Sequence, residues 1–114
     1  MAVPDKQEST LRAGPLEVRV REHTVLADGR TLRLTVREYQ ILTALASRPD
    51  RVIKRPELYR LVWDREMRRD DRSVDVYVSK VRSKLEGALP HWSYIDTHIG
   101  FGYCWSPHPL TPAG

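Results

Sequence analysis

RSVDVYVSKVRSKLE, residues 72–86, is the stretch on which the fold turns. Val74, Val78, Val81 and Leu85 recur at steps of four, three and four, which makes one apolar stripe of an α-helix. At about 100° per residue, Tyr77 falls at the edge of that stripe. The opposite side carries Arg72, Val76, Ser79 and Ser83, and Lys80 and Arg82 lie towards its flanks. Such a helix suits the DNA major groove: small side chains allow close approach to base edges, and cations at the borders meet phosphates. Val76 is apolar yet falls on this front. A scattered surface valine is the ordinary reading, and contact with a thymine methyl is the sharper one.

The chain around this helix has 114 residues, 40% hydrophobic and 30% charged, which suits one soluble domain with a single modest core. A net charge of +4 is a mild push towards a polyanion and settles little alone. The single cysteine, Cys104, excludes an internal disulfide and fits a reducing compartment. No run approaches the ~18–20 apolar residues of a membrane span. The start, MAVPDKQEST, lacks a basic-then-apolar leader, so a cytoplasmic location is expected.

Read in order, residues 1–13 are polar and aperiodic, and are expected to form a loose tail or linker ahead of a domain at 14–106. Leu16, Val18 and Val20 alternate with Glu17, Arg19 and Arg21, the pattern of a half-buried strand. His23–Ala27 and Arg30–Leu34 follow as strands around the tight turn Asp28-Gly29. Thr35-Val36-Arg37-Glu38 has the form of a capping box, and Tyr39, Leu42, Leu45 and Ala46 continue it as a helix to about Ser47. Val52-Ile53 is long enough only for a bridging strand. Pro56 fits the first turn of a second helix running from near Arg55 to Trp63, with Leu58, Leu61 and Val62 inward. Asp64–Asp71 reads as a charged loop. The third helix is expected to stop at Gly87 as a C-cap glycine, with Pro90 beyond. Tyr94–His98 and Tyr103–Trp105 form a hairpin around Ile99-Gly100-Phe101-Gly102, and a free tail follows over 107–114. Sheet, three helices and hairpin give an α+β winged helix-turn-helix.

With LTVREYQIL (34–42), LYRLVW (58–63), RSVDVYVSKVRSKL (72–85) and YIDTHIGFGY (94–103) in this order and spacing, the sequence resembles the DNA-binding effector domain of OmpR/PhoB-type response regulators from about Leu16 to Trp105. The resemblance implies a four-stranded N-terminal sheet, three helices and a C-terminal wing, with the third helix in the major groove and the wing at the neighbouring minor groove. It implies base contacts from Arg72, Ser73, Val76, Ser79 and Lys80, and phosphate contacts from Trp63, Tyr77, Arg82, Ser83, Thr97 and Tyr103. The wing would present His98, Ile99, Gly100 and Phe101. Family members usually bind tandem half-sites as head-to-tail pairs. The loop carrying Arg65, Glu66, Arg68 and Arg69 corresponds to one that often touches RNA polymerase.

Two departures stand out. The family's wing often reads T-V-R-G-x-G-Y, and here Ile99 replaces the arginine that enters the minor groove. Lys54 stands where Ser or Thr often caps the second helix. A phosphoacceptor domain usually precedes such an effector, and the sequence leaves open both a fragment and a receiver-less regulator.

Each assignment has a plainer alternative. Trp63 can plug the core while its N–H finds a polar partner. Arg82 and Lys84 can be helix C-terminal cations favoured by the macrodipole. The mixed charges of 64–71 suit a solvated loop. His98, Cys104 and His108 match no strong metal spacing, and no catalytic set converges, so neither metal, cofactor nor enzyme activity is expected. The rival function is a winged helix serving as a protein-binding module.

Overall fold

A computed structural model describes residues 9–111. Strands β1 (Thr10–Ala13), β2 (Leu16–Arg19), β3 (Thr24–Ala27) and β4 (Arg30–Thr31) form an antiparallel sheet in that order. Helix α1 (Val36–Ala46), strand β5 (Val52–Ile53) and helices α2 (Arg55–Trp63) and α3 (Ser73–Ala88) follow. Strands β6 (Trp92–His98) and β7 (Gly102–Pro109) close the chain, and β7 lies between β5 and β6 in a second antiparallel sheet. No helix among the described residues is long and apolar enough to cross a membrane.

The first sheet follows its alternation as far as Val18; Val20, expected inward with Leu16 and Val18, lies past the end of β2 and is exposed. Leu16, Val18, Val25 and Ala27 are buried, while Arg12, Glu17, Arg19 and Glu22 pair on the outer face, where ion pairs contribute little. Ala27 pairs with Arg30 across Asp28-Gly29. Both turn residues have positive φ (53° and 80°), the demand of a type I′ hairpin. The core continues through Ile41, Leu42 and Leu45 of α1, Leu58 of α2, and the Val74, Val78, Val81 and Leu85 stripe of α3.

The capping box forms as its sequence requires. Thr35 Oγ1 accepts from the Glu38 N–H, and the Glu38 carboxylate accepts from the Thr35 N–H at 2.8 Å. Lys54 supplies no side-chain cap to α2. Glu38 does more than cap. It is buried, 3% exposed, and its Oε1 accepts from Lys84 Nζ at 2.6 Å. Lys84 also donates to the Arg33 carbonyl at 3.1 Å. This lysine therefore ties the start of α1 to the later turns of α3, a more specific role than a helix-end cation. Burial pushes the Glu38 carboxyl up, but the Lys84 and Thr35 hydrogen bonds and the Lys84 charge outweigh it and hold the group below the usual range. Lys84→Met is expected to cost about 1–2 kcal/mol, less than a fully buried pair because the lysine is partly exposed. Urea unfolding of wild type and variant measures it, and an unchanged midpoint would refute the clamp.

Several expectations need correction. Thr10–Ala13 is not tail: it is β1, paired with β2 in the register Thr10↔Arg19 to Ala13↔Leu16. Residues 1–8 of that expected tail, and 112–114 of the C-terminal one, lie outside the described residues. The C-terminal strand runs past 106 to Pro109, and the Leu110 N–H donates to the His91 carbonyl. Strand β4 stops at Thr31 rather than Leu34. Gly87 is not a C-cap. It lies inside α3, whose cap is Leu89 at φ −134°, and the helix runs on because Leu89 is itself buried. Leu61 is exposed, and Tyr59 takes its place inward beside Leu58 and Val62. At 100° per residue, Leu61 lies on the side of α2 away from Tyr59.

Candidate nucleic-acid interface

Burial of the valine stripe fixes the roll of α3 and leaves Arg72, Val76, Ser79, Lys80 and Ser83 exposed along one face. Val76, at 47% exposure, presents its methyls to solvent amid polar neighbours. Ser73 is half-buried at the first turn. Arg72 occupies the N-cap position without a side-chain cap bond, and Asp71 does the capping, its Oδ1 accepting from the Ser73 N–H at 2.8 Å. Hydrogen bonds from the Ser73 hydroxyl and N–H hold the Asp71 carboxyl low. Ser73 thus faces its cap, whereas Val76, Ser79 and Lys80 face outward.

On one flank, α1, α2 and α3 meet in an aromatic and cationic platform. Trp63 stacks on Tyr59 with centroids 4.6 Å apart and meets Tyr77 at 5.7 Å. Arg37 lies 5.1 Å above the Trp63 ring and donates to the Val62 carbonyl at 2.8 Å. Lys80 Nζ sits 5.0 Å from the Tyr77 centroid. Among the described residues, neither the Trp63 indole N–H nor the Tyr77 hydroxyl has a protein partner, and neither is a buried unsatisfied group. Trp63 is therefore both packed and able to donate outward, in keeping with an amphipathic ring. Arg37 joins the platform unforeseen by the α3 pattern. Only its position in the first turn of α1 could have hinted at it.

On the other flank, Arg82 ties α3 to the wing. Its Nε and Nη2 donate to the Ile95 carbonyl at 3.1 and 2.7 Å, and Nη2 donates to Thr97 Oγ1 at 2.6 Å. These three bonds use three of the five guanidinium N–H groups, and the pair on Nη1 stays free. Arg82 is thus neither a mere helix-end cation nor a wholly free phosphate ligand. Thr97 accepts from it and keeps its own proton to donate.

Tyr103, expected at a phosphate, is instead engaged inside the domain. The residue is 5% exposed and its hydroxyl proton is donated to Asp75 Oδ1. Asp75 also accepts from Arg55 Nε at 2.7 Å. The Tyr103 ring lies 5.5 Å from the Arg55 guanidinium and 5.6 Å from that of Arg82. Burial raises the Asp75 carboxyl, but bonds from Tyr103 and Arg55 and the arginine charge win and keep it low. Burial, the Asp75 hydrogen bond and its charge push the Tyr103 phenol up. This knot joins the start of α2, the first turn of α3 and β7. Sequence reasoning missed Asp75 and Arg55, because an aspartate in a first helical turn already has a sufficient explanation in the macrodipole.

The wing beyond Thr97 is apolar at its tip. Ile99 and Phe101 are 89% and 69% exposed around Gly100 at φ 82°. The Phe101 N–H closes the turn onto the His98 carbonyl at 2.8 Å. In the α2–α3 loop, Asp64 ends α2 in the left-handed region, and Arg65 donates to the Tyr59 hydroxyl at 3.1 Å. Glu66, Arg68 and Arg69 are exposed, with no side-chain partner among the described residues. Cys104 is buried in β7, its thiol pushed up by burial and by Asp50 and Asp96, the reverse of an activated thiolate.

Residues 29–105 match the family described as "Transcriptional regulatory protein, C terminal". The transcriptional regulatory protein YcbL of Bacillus subtilis is 33% identical over 93 residues, covering 82% of this chain and 41% of that protein. The chain spans less than half the length of such curated relatives. Among solved structures, the Klebsiella pneumoniae RstA DNA-binding domain in complex with the RstA box superposes with a TM-score of 0.78 at 27% identity, covering 87% of this chain and 98% of that one. The DNA-binding domain of CpxR from E. coli gives 0.77 at 28% identity, with coverages of 85% and 95%.

Proposed function

Because the chain belongs to the OmpR/PhoB-type family of transcriptional regulatory C-terminal domains, which bind specific DNA sequences, we propose that α3 is its recognition helix, seated in the major groove of a duplex. The observation that carries this assignment is the sidedness of α3. Its valines are buried, while Val76, Ser79, Lys80 and Ser83 form an exposed face. In this reading Val76, Ser79, Lys80 and Arg72 meet base edges, and Ser73 only steadies the helix start. Trp63, Tyr77, Ser83, Thr97 and the free Nη1 of Arg82 meet phosphates, and Arg37 is added to them. The exposed loop residues Glu66, Arg68 and Arg69 suit a contact with RNA polymerase or with a second copy arranged head-to-tail on tandem half-sites. Arg65 is already held by Tyr59.

Fluorescence titration against selected and random duplexes at several salt concentrations tests the reading. Affinity is expected to fall with salt at about 0.9 log units per log unit for each neutralised phosphate. Val76→Ala is expected to alter preference chiefly at one base pair, by about 1 kcal/mol, whereas Arg82→Ala weakens binding to all sequences and lowers the salt slope by about one. Uniform effects from both variants would overturn the division of roles. Absence of duplex affinity even at low salt would favour a protein-binding module.

A further inference from the structure

We propose that the tip of the wing, Ile99 and Phe101, is an apolar wedge that enters the minor groove and opens a base step there, so that this chain reads DNA deformability at that step where a cation is absent. The inference rests on the DNA-binding reading above. Ile99 and Phe101 are among the most exposed large apolar side chains of the described residues, and they are held together by a single glycine turn. Exposed apolar side chains gathered at one point mark a contact surface. The run His98 to Tyr103 contains no lysine or arginine, so the tip has no guanidinium or ammonium to place in the groove. What it offers is bulk.

Position favours DNA as the occupant. Thr97 is fixed to the flank of α3 by Arg82. From there β6 ends one residue on, at His98, and the turn Ile99-Gly100-Phe101 projects beyond that contact, so the tip is continuous with the flank of α3 on which Arg82 and Thr97 are proposed to meet phosphates. The base of the hairpin is also stiff. Tyr103 is tied to Asp75, and Gly102 lies so close to the Ile53 carbonyl that even a Cβ would stand 2.1 Å from its oxygen. A wedge works only if its mount does not yield. Apolar side chains that enter the minor groove partly unstack a step and bend the duplex. The cost is least at flexible pyrimidine–purine steps. The ligand is thus a minor-groove TA or CA/TG step beside the α3 site, chosen without a hydrogen bond to its bases.

The test uses a site that the chain selects from a random duplex pool, made with one and with two half-sites, and labelled with 2-aminopurine at successive positions under the wing. Wild type, Ile99→Ser, Phe101→Ser and the double variant are compared. Both positions are exposed, and melting curves check that folding is unchanged. Wild type is expected to raise 2-aminopurine fluorescence at one step and to lose affinity when that step is made G·C. The double variant is expected to bind about tenfold more weakly, to keep the wild-type salt slope, and to lose both the fluorescence rise and the step preference. Unchanged affinity, a missing fluorescence rise with wild type, or a loss confined to the duplex with two half-sites, which would place the tip against a second copy, each overturns the wedge alone. A wild-type chain that binds no duplex at low salt overturns the DNA reading, and the wedge with it.

Discussion

Gly102→Ala is expected to destabilise the domain by about 3 kcal/mol, one of the largest losses available from adding a single methyl to this chain. The added Cβ would stand 2.1 Å from the Ile53 oxygen, 2.8 Å from its carbonyl carbon and 3.0 Å from Lys54 Cα. All three atoms are backbone, so no rotamer change can relieve the contact. Strand β5 would have to leave β7 next to the Ile53↔Tyr103 pair. A loss of this size corresponds to a Tm lower by on the order of 15 °C in a domain of about this length. Gly100→Ala is the control. Its Cβ meets nothing within 4 Å, and the penalty is confined to a φ of 82°, about 1 kcal/mol. Thermal unfolding followed by circular dichroism distinguishes the two. Equal melting temperatures for both variants would mean that the close approach of β7 to β5 carries no weight.

The contrast between those two glycines shows what sequence reading reaches in this chain. Both glycines flank Phe101, and turn chemistry alone reads both as turn residues. Only the packing shows that one is free and the other is wedged against a neighbouring strand. Local rules served wherever a segment decides its own conformation: the Thr35–Glu38 box, the Asp28-Gly29 hairpin and the valine stripe of α3 form as their residues dictate. They failed where a distant partner decides. Strand β1 carries little alternation of its own and forms because β2 offers an edge to it. Gly87 could have ended α3, but the burial of Leu89 carries the helix further. In the site, the exposed face of α3 was legible because it is the complement of the buried stripe. The struts that hold it (Lys84 on Glu38, Arg82 on the wing, Asp75 between Arg55 and Tyr103) join residues far apart in the chain, and no spacing announces them.

Of these struts, Asp75 is the one whose loss reaches furthest. Asp75→Ala leaves Arg55 Nε and the buried Tyr103 hydroxyl without their shared acceptor, at an expected cost of about 2–3 kcal/mol. The figure is held below that of a fully buried pair because Arg55 is 35% and Asp75 24% exposed at the side chain. Asp75→Asn separates charge from shape. The amide oxygen can still accept, but the attraction to Arg55 is gone. Because the folded carboxyl lies below its ordinary value, the charge contributes stability that is complete above the unfolded aspartate value of about 3.9 and is lost as pH falls through the lower folded one. Wild type should therefore exceed the Asn variant by a constant margin from about pH 5 to 7, and the margin should shrink as the medium is acidified below about pH 4. Urea unfolding across that range measures it, and a margin that does not change with pH would mean the carboxylate charge plays no part. The same variant should bind DNA more weakly with an unchanged salt slope, since Asp75 orients α3 against the wing and meets no phosphate itself. A changed slope would instead place Asp75 in the electrostatic footprint, where its negative charge opposes binding.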